Sequence, residues 1–293
     1  MQNWLRTPLT AGLYLVATPL GTARDITLRA LDVLASADVL VAEDTRSLRR
    51  LMEIHGVPLE GRRLLSYHDH SRDAVLPRLA QFIVDGQSVA YASEAGTPLV
   101  ADPGFELVRH LRAGGLPVTA APGPSAAVTA LSLSGLPTDR FLFEGFLPPA
   151  SGKRKTALAA LRDLPATLIF YESPNRVAAM LRDAAEVLGA QRQARLCREL
   201  TKKFEEILSG TLEELAQHCA MTRPRGEIVV LVDRPGSPTI KEEDITSLLQ
   251  EALIGQTVRD AADTVSRQTG QPRRQVYQMA LQLAREPEKD GKS

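Results

Sequence analysis

The chain has 293 residues, 44% of them hydrophobic, and its 35 Lys and Arg balance 35 Asp and Glu. That length buries a sizeable core and predicts two or three domains, while zero net charge leaves any polyanion site to local clusters. The two cysteines, Cys197 and Cys219, fit no metal or redox spacing, the N-terminus lacks a signal-peptide core, and no apolar run approaches the ~20 residues of a membrane span, so the chain reads as soluble and cytoplasmic.

Residues 12–17 predict a buried strand, broken by Thr18-Pro19-Leu20-Gly21-Thr22. Asp25 is placed to cap the next helix, whose apolar face carries Ile26, Ala30, Leu31, Leu34 and Ala35. A short strand at 39–42 runs into Glu43-Asp44-Thr45-Arg46, with Thr45 the expected cap of a basic helix through Ile54. Residues 64–67 predict a weak strand, followed by His68-Asp69-His70 and a helix capped by Ser71. Residues 88–93 are apolar at nearly every position and predict another buried strand. Glu94-Ala95-Gly96-Thr97-Pro98 breaks it and opens a loop longer than the ~2–6 residues such connections need. Asp102-Pro103 then has the form of a helix start, and Gly114-Gly115 of its end. A strand at 117–121 leads through Pro122-Gly123-Pro124-Ser125 into an Ala-rich helix ending near Gly135. Strands alternating with helices predict a mostly parallel sheet, which collects ligands at the carboxyl ends of its strands.

Beyond Phe141 the texture changes. An aromatic extended stretch (141–146) is followed by Pro148 to Lys155, read as an exposed basic connector. Strands are expected at 166–171, 194–199, 204–210 and 226–233, with helices opened by Ser173-Pro174-Asn175-Arg176 and by Thr211. This predicts a second α/β domain with a partly antiparallel sheet. A linker at 234–238 precedes three short helical patterns, the last two spaced as a helix-turn-helix. The expected divisions are 1–121, 122–234 and 240–293.

No glycine-rich dinucleotide or phosphate loop and no nucleophile elbow occurs. His68 and His70 lack a third ligand in register, so no metal site is expected. Three strand-to-helix turns instead pair Pro with Gly: Thr18 to Gly21, Glu94 to Pro98, and Pro122 to Ser125. Each exposes backbone amides and carbonyls, groups that suit a ligand with carboxylate, amine and adenine edges.

These turns, together with Glu43-Asp44-Thr45-Arg46, Ser134-Gly135-Leu136-Pro137, Phe143-Glu144-Gly145-Phe146, Tyr171-Glu172-Ser173-Pro174, Arg198-Glu199-Leu200-Thr201-Lys202 and Gly226-Glu227, resemble the tetrapyrrole-methylase superfamily of S-adenosylmethionine-dependent methyltransferases. Within it the chain is similar to the branch that methylates the ribose 2′-oxygen of a cytidine in 16S ribosomal RNA. Thr22 and Glu94 depart from that pattern, which usually has Asn and Asp there. The resemblance implies two α/β domains with S-adenosylmethionine in the cleft between them, and a small C-terminal helical module. By position it places Pro19, Glu94, Gly96, Thr97, Pro98, Ala101 and Asp102 on one side of the cofactor. Ser125 and Ala126 meet its other end, and Tyr171, Leu200, Gly226, Glu227 and Ile228 close over the adenosine. A homodimer is implied as well.

Methyl transfer needs the ribose oxygen in line with the methyl carbon, and a base or cation to manage its proton. The candidates are Glu43, Asp44, Glu94, Asp102, Glu172, Glu199 and Lys202, with Glu172 and Lys202 taken as nearest the chemistry and helix caps or ion pairs as the alternative for most of them. Arg46, Arg49, Arg50, Lys153, Arg154, Lys155, Arg176, Arg273 and Arg274 are candidate contacts to ribosomal RNA or the small subunit, each with a solvated charged face or a structural ion pair as its alternative. The rival functions are methylation of a porphyrin-like substrate and a non-enzymatic RNA-binding assembly factor.

Overall fold

Five strands make the first sheet: β1 (Gly12–Val16), β2 (Val39–Ala42), β3 (Arg63–Ser66), β4 (Ser88–Ala92) and β5 (Val118–Ala121). Their order is β3-β2-β4-β1-β5, and every pairing is parallel. The structure, a computed structural model, describes residues 3–67, 72–101, 104–236, 242–269 and 273–285. Alternation along each strand sends Val16, Leu40, Ala42, Ala90 and Ala92 toward α1 (Leu28–Ser36) and α2 (Thr45–Ile54). Leu13, Val39, Val41, Val89 and Tyr91 point the other way, onto α3 (Arg72–Val84) and α4 (Phe105–Ala113). The chain therefore leaves β1 toward one face and its neighbour β4 toward the other. That divergence makes the carboxyl ends of β1 and β4 the topological switch point, where a parallel sheet opens a crevice.

Two caps differ from expectation. Thr27 caps α1, its Oγ1 accepting from Ala30 N at 3.1 Å, while Asp25 lies in a single 3-10 turn, Ala23–Asp25. Asp44, with extended backbone, caps α2 through a 2.8 Å bond from Arg46 N, which makes Thr45 the first helical residue. Gly104 precedes α4; the expected start at Asp102-Pro103, the His68/His70 pair and the Ser71 cap lie outside the described residues.

The second sheet holds β6 (Phe141–Phe146), β7 (Thr167–Glu172), β8 (Gln193–Arg198), β9 (Glu206–Thr211) and β10 (Ile228–Val232) in the order β6-β7-β10-β8-β9. Only β6 and β7 run parallel. One face packs on α6 (Ser151–Leu161), α7 (Val177–Leu188) and α8 (Leu212–Thr222). A capping box between Thr211 and Glu214 starts α8. The opposite face is covered by α5 (Ala126–Ser134), whose Ala127, Ala130 and Leu131 sit on Ile169, Val229 and Leu231. The element that leaves the first sheet thus roofs the second. Helix α6 replaces the exposed connector expected at 148–155: Leu158 and Leu161 are buried, and the inward position one turn earlier is held by a charged residue, Arg154, which hid the pattern.

Residues divide into two units, Met1–Arg234 and Pro235–Ser293. The second contains α9 (Glu242–Leu253), α10 (Val258–Thr269) and α11 (Arg273–Arg285) around Ile245, Leu249, Ala262, Val265, Val276 and Ala280. Thr257 and Asp260 bond reciprocally at the start of α10. Among the described residues no helix is long and apolar enough to cross a membrane, and no group of His, Cys, Asp and Glu is arranged to hold a metal ion.

Candidate active site

The three Pro/Gly turns are knit into one surface at the switch point. Thr18 N donates to Gly96 O at 2.9 Å and Gly96 N to Thr18 O at 3.0 Å, a two-residue antiparallel bridge between the loops after β1 and β4. Ser93 Oγ donates to the same Gly96 carbonyl at 2.6 Å, and Thr18 Oγ1 to Ser93 O at 3.2 Å. Thr97 Oγ1 reaches the third turn, donating to Pro124 O at 2.8 Å. Leu99 and Ala101 in the β4 loop hold left-handed φ of 71° and 64°. Such conformations cost energy in residues with a Cβ and concentrate at ligand sites.

Above this surface lies a cavity of about 380 Å³. Leu20, Glu94, Gly96, Thr97 and Ala101 come from the first two turns, and Ser125 and Ala126 from the third. Tyr171, Glu172, Gly226, Glu227 and Ile228 face them from the ends of β7 and β10. Tyr171 is fixed at both ends: its Oη accepts from Ala127 N at 3.1 Å, and Phe143 and Phe146 pack edge-on with centroids at 4.8 and 5.8 Å. Of the residues expected at a cofactor, ten lie on this wall. Pro19, Pro98 and Leu200 lie off it, Leu200 in the core beside Val229 and Cys197, and Asp102 is outside the described residues. Leu20, Glu43, Ala95, Val100, Phe146, Ser173, Pro174 and Val229 join the wall without having been singled out for it. Glu43, a candidate base from the sequence though not a cofactor contact, stands at the carboxyl end of a parallel strand. Phe146 carried only its place in the Phe143 to Phe146 motif, since a half-exposed aromatic in an extended stretch is otherwise ordinary.

The cavity is acidic, with Glu43, Glu94, Glu172 and Glu227 on its wall. The Glu172 side chain is fully buried; Oε1 accepts from Ser173 N at 2.7 Å. Its Oε2 stands 3.2 Å from Arg176 Nη2 in an ion pair whose angle forms no hydrogen bond. Arg176 Nη2 donates instead to Leu147 O at 2.6 Å. Lys202 is behind the wall, Nζ 3.0 Å from both Glu199 Oε1 and Glu227 Oε2. Partial burial pulls the Lys202 ammonium down, but the hydrogen bonds and charges of Glu199 and Glu227 outweigh it, and its pKa is raised. Glu199 is lowered in return, first by a backbone hydrogen bond from Glu227 and then by Lys202.

The basic residues fall into different settings. Arg46 is 91% exposed at the start of α2, its guanidinium 3.2 and 3.0 Å from the Asp44 carboxylate oxygens, and the charge of Glu94 also acts on it. Arg49 and Lys153 are exposed, and Arg50 pairs loosely with Glu53 at 3.5 Å. Arg154 is 4% exposed and sits on Asp183 at 2.6 and 2.8 Å while also donating to Pro149 O, so its donors are engaged inside the fold. Lys155 pairs with Glu186 at 2.6 Å, and Arg273 with Asp263; the Arg274 side chain lies outside the described residues.

Comparison with known proteins agrees with this geometry. The family described as Tetrapyrrole (Corrin/Porphyrin) Methylases matches residues 12–216, and the RsmI C-terminal HTH domain matches residues 239–284. A Ribosomal RNA small subunit methyltransferase I of Mesorhizobium japonicum is 47% identical over 94% of this chain and 93% of its own. That of Xylella fastidiosa is 42% identical over 90% and 97%. The crystal structure of a uroporphyrin-III C-methyl transferase from Thermus thermophilus complexed with S-adenyl homocysteine superposes with a TM-score of 0.53 at 22% identity, covering 75% of this chain and 96% of its own. The chain belongs to the tetrapyrrole methylase family, on its ribosomal RNA small subunit methyltransferase I branch.

Proposed function

We propose that this chain is an S-adenosylmethionine-dependent methyltransferase that acts on the ribose 2′-oxygen of a cytidine in 16S ribosomal RNA. The observation that carries the reading is the acidic cavity at the switch point, with Glu43, Glu94, Glu172 and Glu227 around it. Carboxylates repel a phosphorylated cofactor and suit one with positive centres, and S-adenosylmethionine has a sulfonium and an ammonium. The apolar part of the wall, from Tyr171 to Ile228 and Val229, fits a flat adenine edge, and the backbone groups of the 94–98 loop offer hydrogen bonds to the amino-acid end. The relatives' names supply the RNA substrate.

When bound, the cofactor supplies an activated methyl group, so this chain's residues need only hold the ribose in line, exclude water and take one proton. Glu172 is assigned to the proton: it is a buried carboxylate at the wall, its Oε2 3.2 Å from Arg176 Nη2 and without a hydrogen bond. Exposed Arg46, Arg49 and Lys153 are the phosphate contacts of this reading, and the C-terminal unit, taken as 240–293, holds RNA. Residues 1–121 and 122–234 are its two cofactor-binding domains, with Ser125 and Ala126 of the second standing beside the turns of the first. The enzyme works as a homodimer in the cytoplasm, where its substrate is. Methylation of 16S RNA or small subunits by the Glu172→Gln protein tests the assignment. A drop of roughly 10²-fold or more with cofactor binding retained is expected, and a wild-type rate refutes it. Mapping the methylated nucleotide in ribosomal RNA from cells with and without the gene tests the substrate.

A further inference from the structure

We propose that the turn after β8, residues 199–202, is a strap that sets the separation of the two cavity walls, with Lys202 a positioning residue rather than one that touches the reacting atoms. The inference rests on reading the cavity as the cofactor site. On one side the strap holds the start of β10. Glu199 Oε1 accepts from Glu227 N at 3.0 Å, Glu199 N donates to Glu227 O at 3.0 Å, and Lys202 Nζ bridges the Glu199 and Glu227 carboxylates at 3.0 Å each. Gly226, at φ +87°, leaves the space where a Cβ would overlap the Glu199 carboxyl group. On the other side the strap lies on the β1 turn. Thr22 N donates to Thr201 Oγ1 at 3.3 Å, and a Cβ at Gly21 would overlap the Lys202 stem and stand 3.1 Å from Leu200 O. Leu20, next to Gly21, and Glu227 are both on the cavity wall, so one side chain, Lys202, bonds to one side of the cleft while its stem lies against the other.

The strap is held in a conformation its residues do not favour. Glu199 and Thr201 take left-handed φ of 53° and 61°. Thr201 N is fixed by Glu205 Oε2 at 2.6 Å, and Lys202 N by Glu199 O at 3.0 Å. Non-glycine residues stay in such wells only where their surroundings over-determine them.

The test is calorimetric titration of the full-length protein with S-adenosylmethionine and S-adenosylhomocysteine, beside steady-state kinetics on 16S RNA. Lys202→Met keeps the stem and removes the bridge. Expected is a loss of affinity for both compounds of about tenfold or more, with a matching rise in the cofactor KM and a kcat changed by less than about threefold. Lys202→Arg should recover part of that affinity. Gly21→Ala should weaken binding too, and adding Lys202→Ala to it should cost less than the two single effects together, because the shortened side chain removes the closest overlap and leaves Thr201 Oγ1 at 2.9 Å and Leu200 O at 3.1 Å. Unchanged affinity with a collapsed kcat in Lys202→Met would overturn the proposal and make Lys202 catalytic. Additive effects of the Gly21 and Lys202 changes would overturn the contact. If Gly21→Ala fails to fold, the two Lys202 variants still decide. A wild-type protein that binds neither compound defeats the functional reading first, and the strap with it.

Discussion

Thr18 and Gly96 exchange both backbone hydrogen bonds across the point where the chain leaves β1 and β4 for opposite faces of the sheet. This small antiparallel bridge turns two loops into one floor. Its buried support is Ser93, whose hydroxyl donates to the Gly96 carbonyl at 2.6 Å. Ser93→Ala removes that donor without changing the backbone. It should cost about 0.5–1.5 kcal/mol of stability, the net worth of one hydrogen bond, because the Gly96 carbonyl keeps the bond from Thr18 N. Because the floor contacts the cofactor in the proposed function, its affinity should fall as well. Denaturant melts and calorimetry on one preparation check both, and a stability loss without any change in affinity would separate the bridge from the site.

Arg154 and its neighbours Lys153 and Lys155 form one basic run in the sequence, yet they do different things. Arg154 is paired with buried Asp183 and two backbone carbonyls, so Arg154→Met takes the main partner from a buried carboxylate and leaves it the Ser151 hydroxyl at 2.9 Å and Lys155 at 3.9 Å. Breaking one half of a buried pair costs about 3–5 kcal/mol when the other charge is left uncompensated, and the remaining Ser151 and Lys155 contacts put the expected loss at the low end of that range. Lys153→Ala, at an exposed position, should leave stability within about 0.5 kcal/mol. Urea melts of the two proteins check the contrast, and equal losses would contradict it.

That pair also shows where the sequence stops being legible. The first sheet could be read because its strands are short apolar runs and its turns carry Pro and Gly, both consequences of burial on two faces. Helix α6 could not, because its inward position is a charged residue whose partner, Asp183, lies 29 positions away. Local pattern does not register a distant ion pair. The caps shifted by one or two residues for a related reason: Asp44 and Thr45 both suit an N-cap, and only backbone geometry chooses between them. For the cavity, the turns at the carboxyl ends of the first sheet were legible from topology, while Tyr171 and residues 226–228 were legible only through the family resemblance. The role of residues 199–202 was not legible, since it depends on left-handed backbone and on Gly21, more than 170 positions away.

Cys197 and Cys219 are both buried, and burial pushes each thiol up from 9.0 to about 11, with the charges of Glu205 and Glu206 adding to the shift. The folded state then keeps protons that the unfolded chain releases. Stability from this source is complete below pH 9 and falls as pH rises toward 11, at up to about 1.4 kcal/mol per pH unit for each thiol. Thiol-reactive dye at pH 8 should label neither cysteine in the native protein and both after denaturation. Native labelling at the denatured rate would contradict the burial.

Asp44 binds Arg46 twice: its carboxylate accepts from the backbone N–H at 2.8 Å and from the guanidinium at 3.2 and 3.0 Å. The side-chain bond from Arg46 is the main reason the Asp44 pKa is lowered, and the same bond raises that of Arg46. A lowered carboxylate contributes above its unfolded value of 3.8 and loses that contribution as pH falls through the folded one, so the pair is intact at neutral pH. Asp44→Asn keeps an N-cap oxygen but removes the charge that aims Arg46. Helix stability should therefore change little, while RNA affinity should fall if the aimed guanidinium meets a phosphate. Arg46→Ala should lower the slope of log affinity against log salt by about 1. RNA titrations across a salt series with wild-type, Asp44→Asn and Arg46→Ala proteins check this. Should Arg46→Ala keep the wild-type salt slope, Arg46 is a cap partner and nothing more, and the RNA surface lies elsewhere.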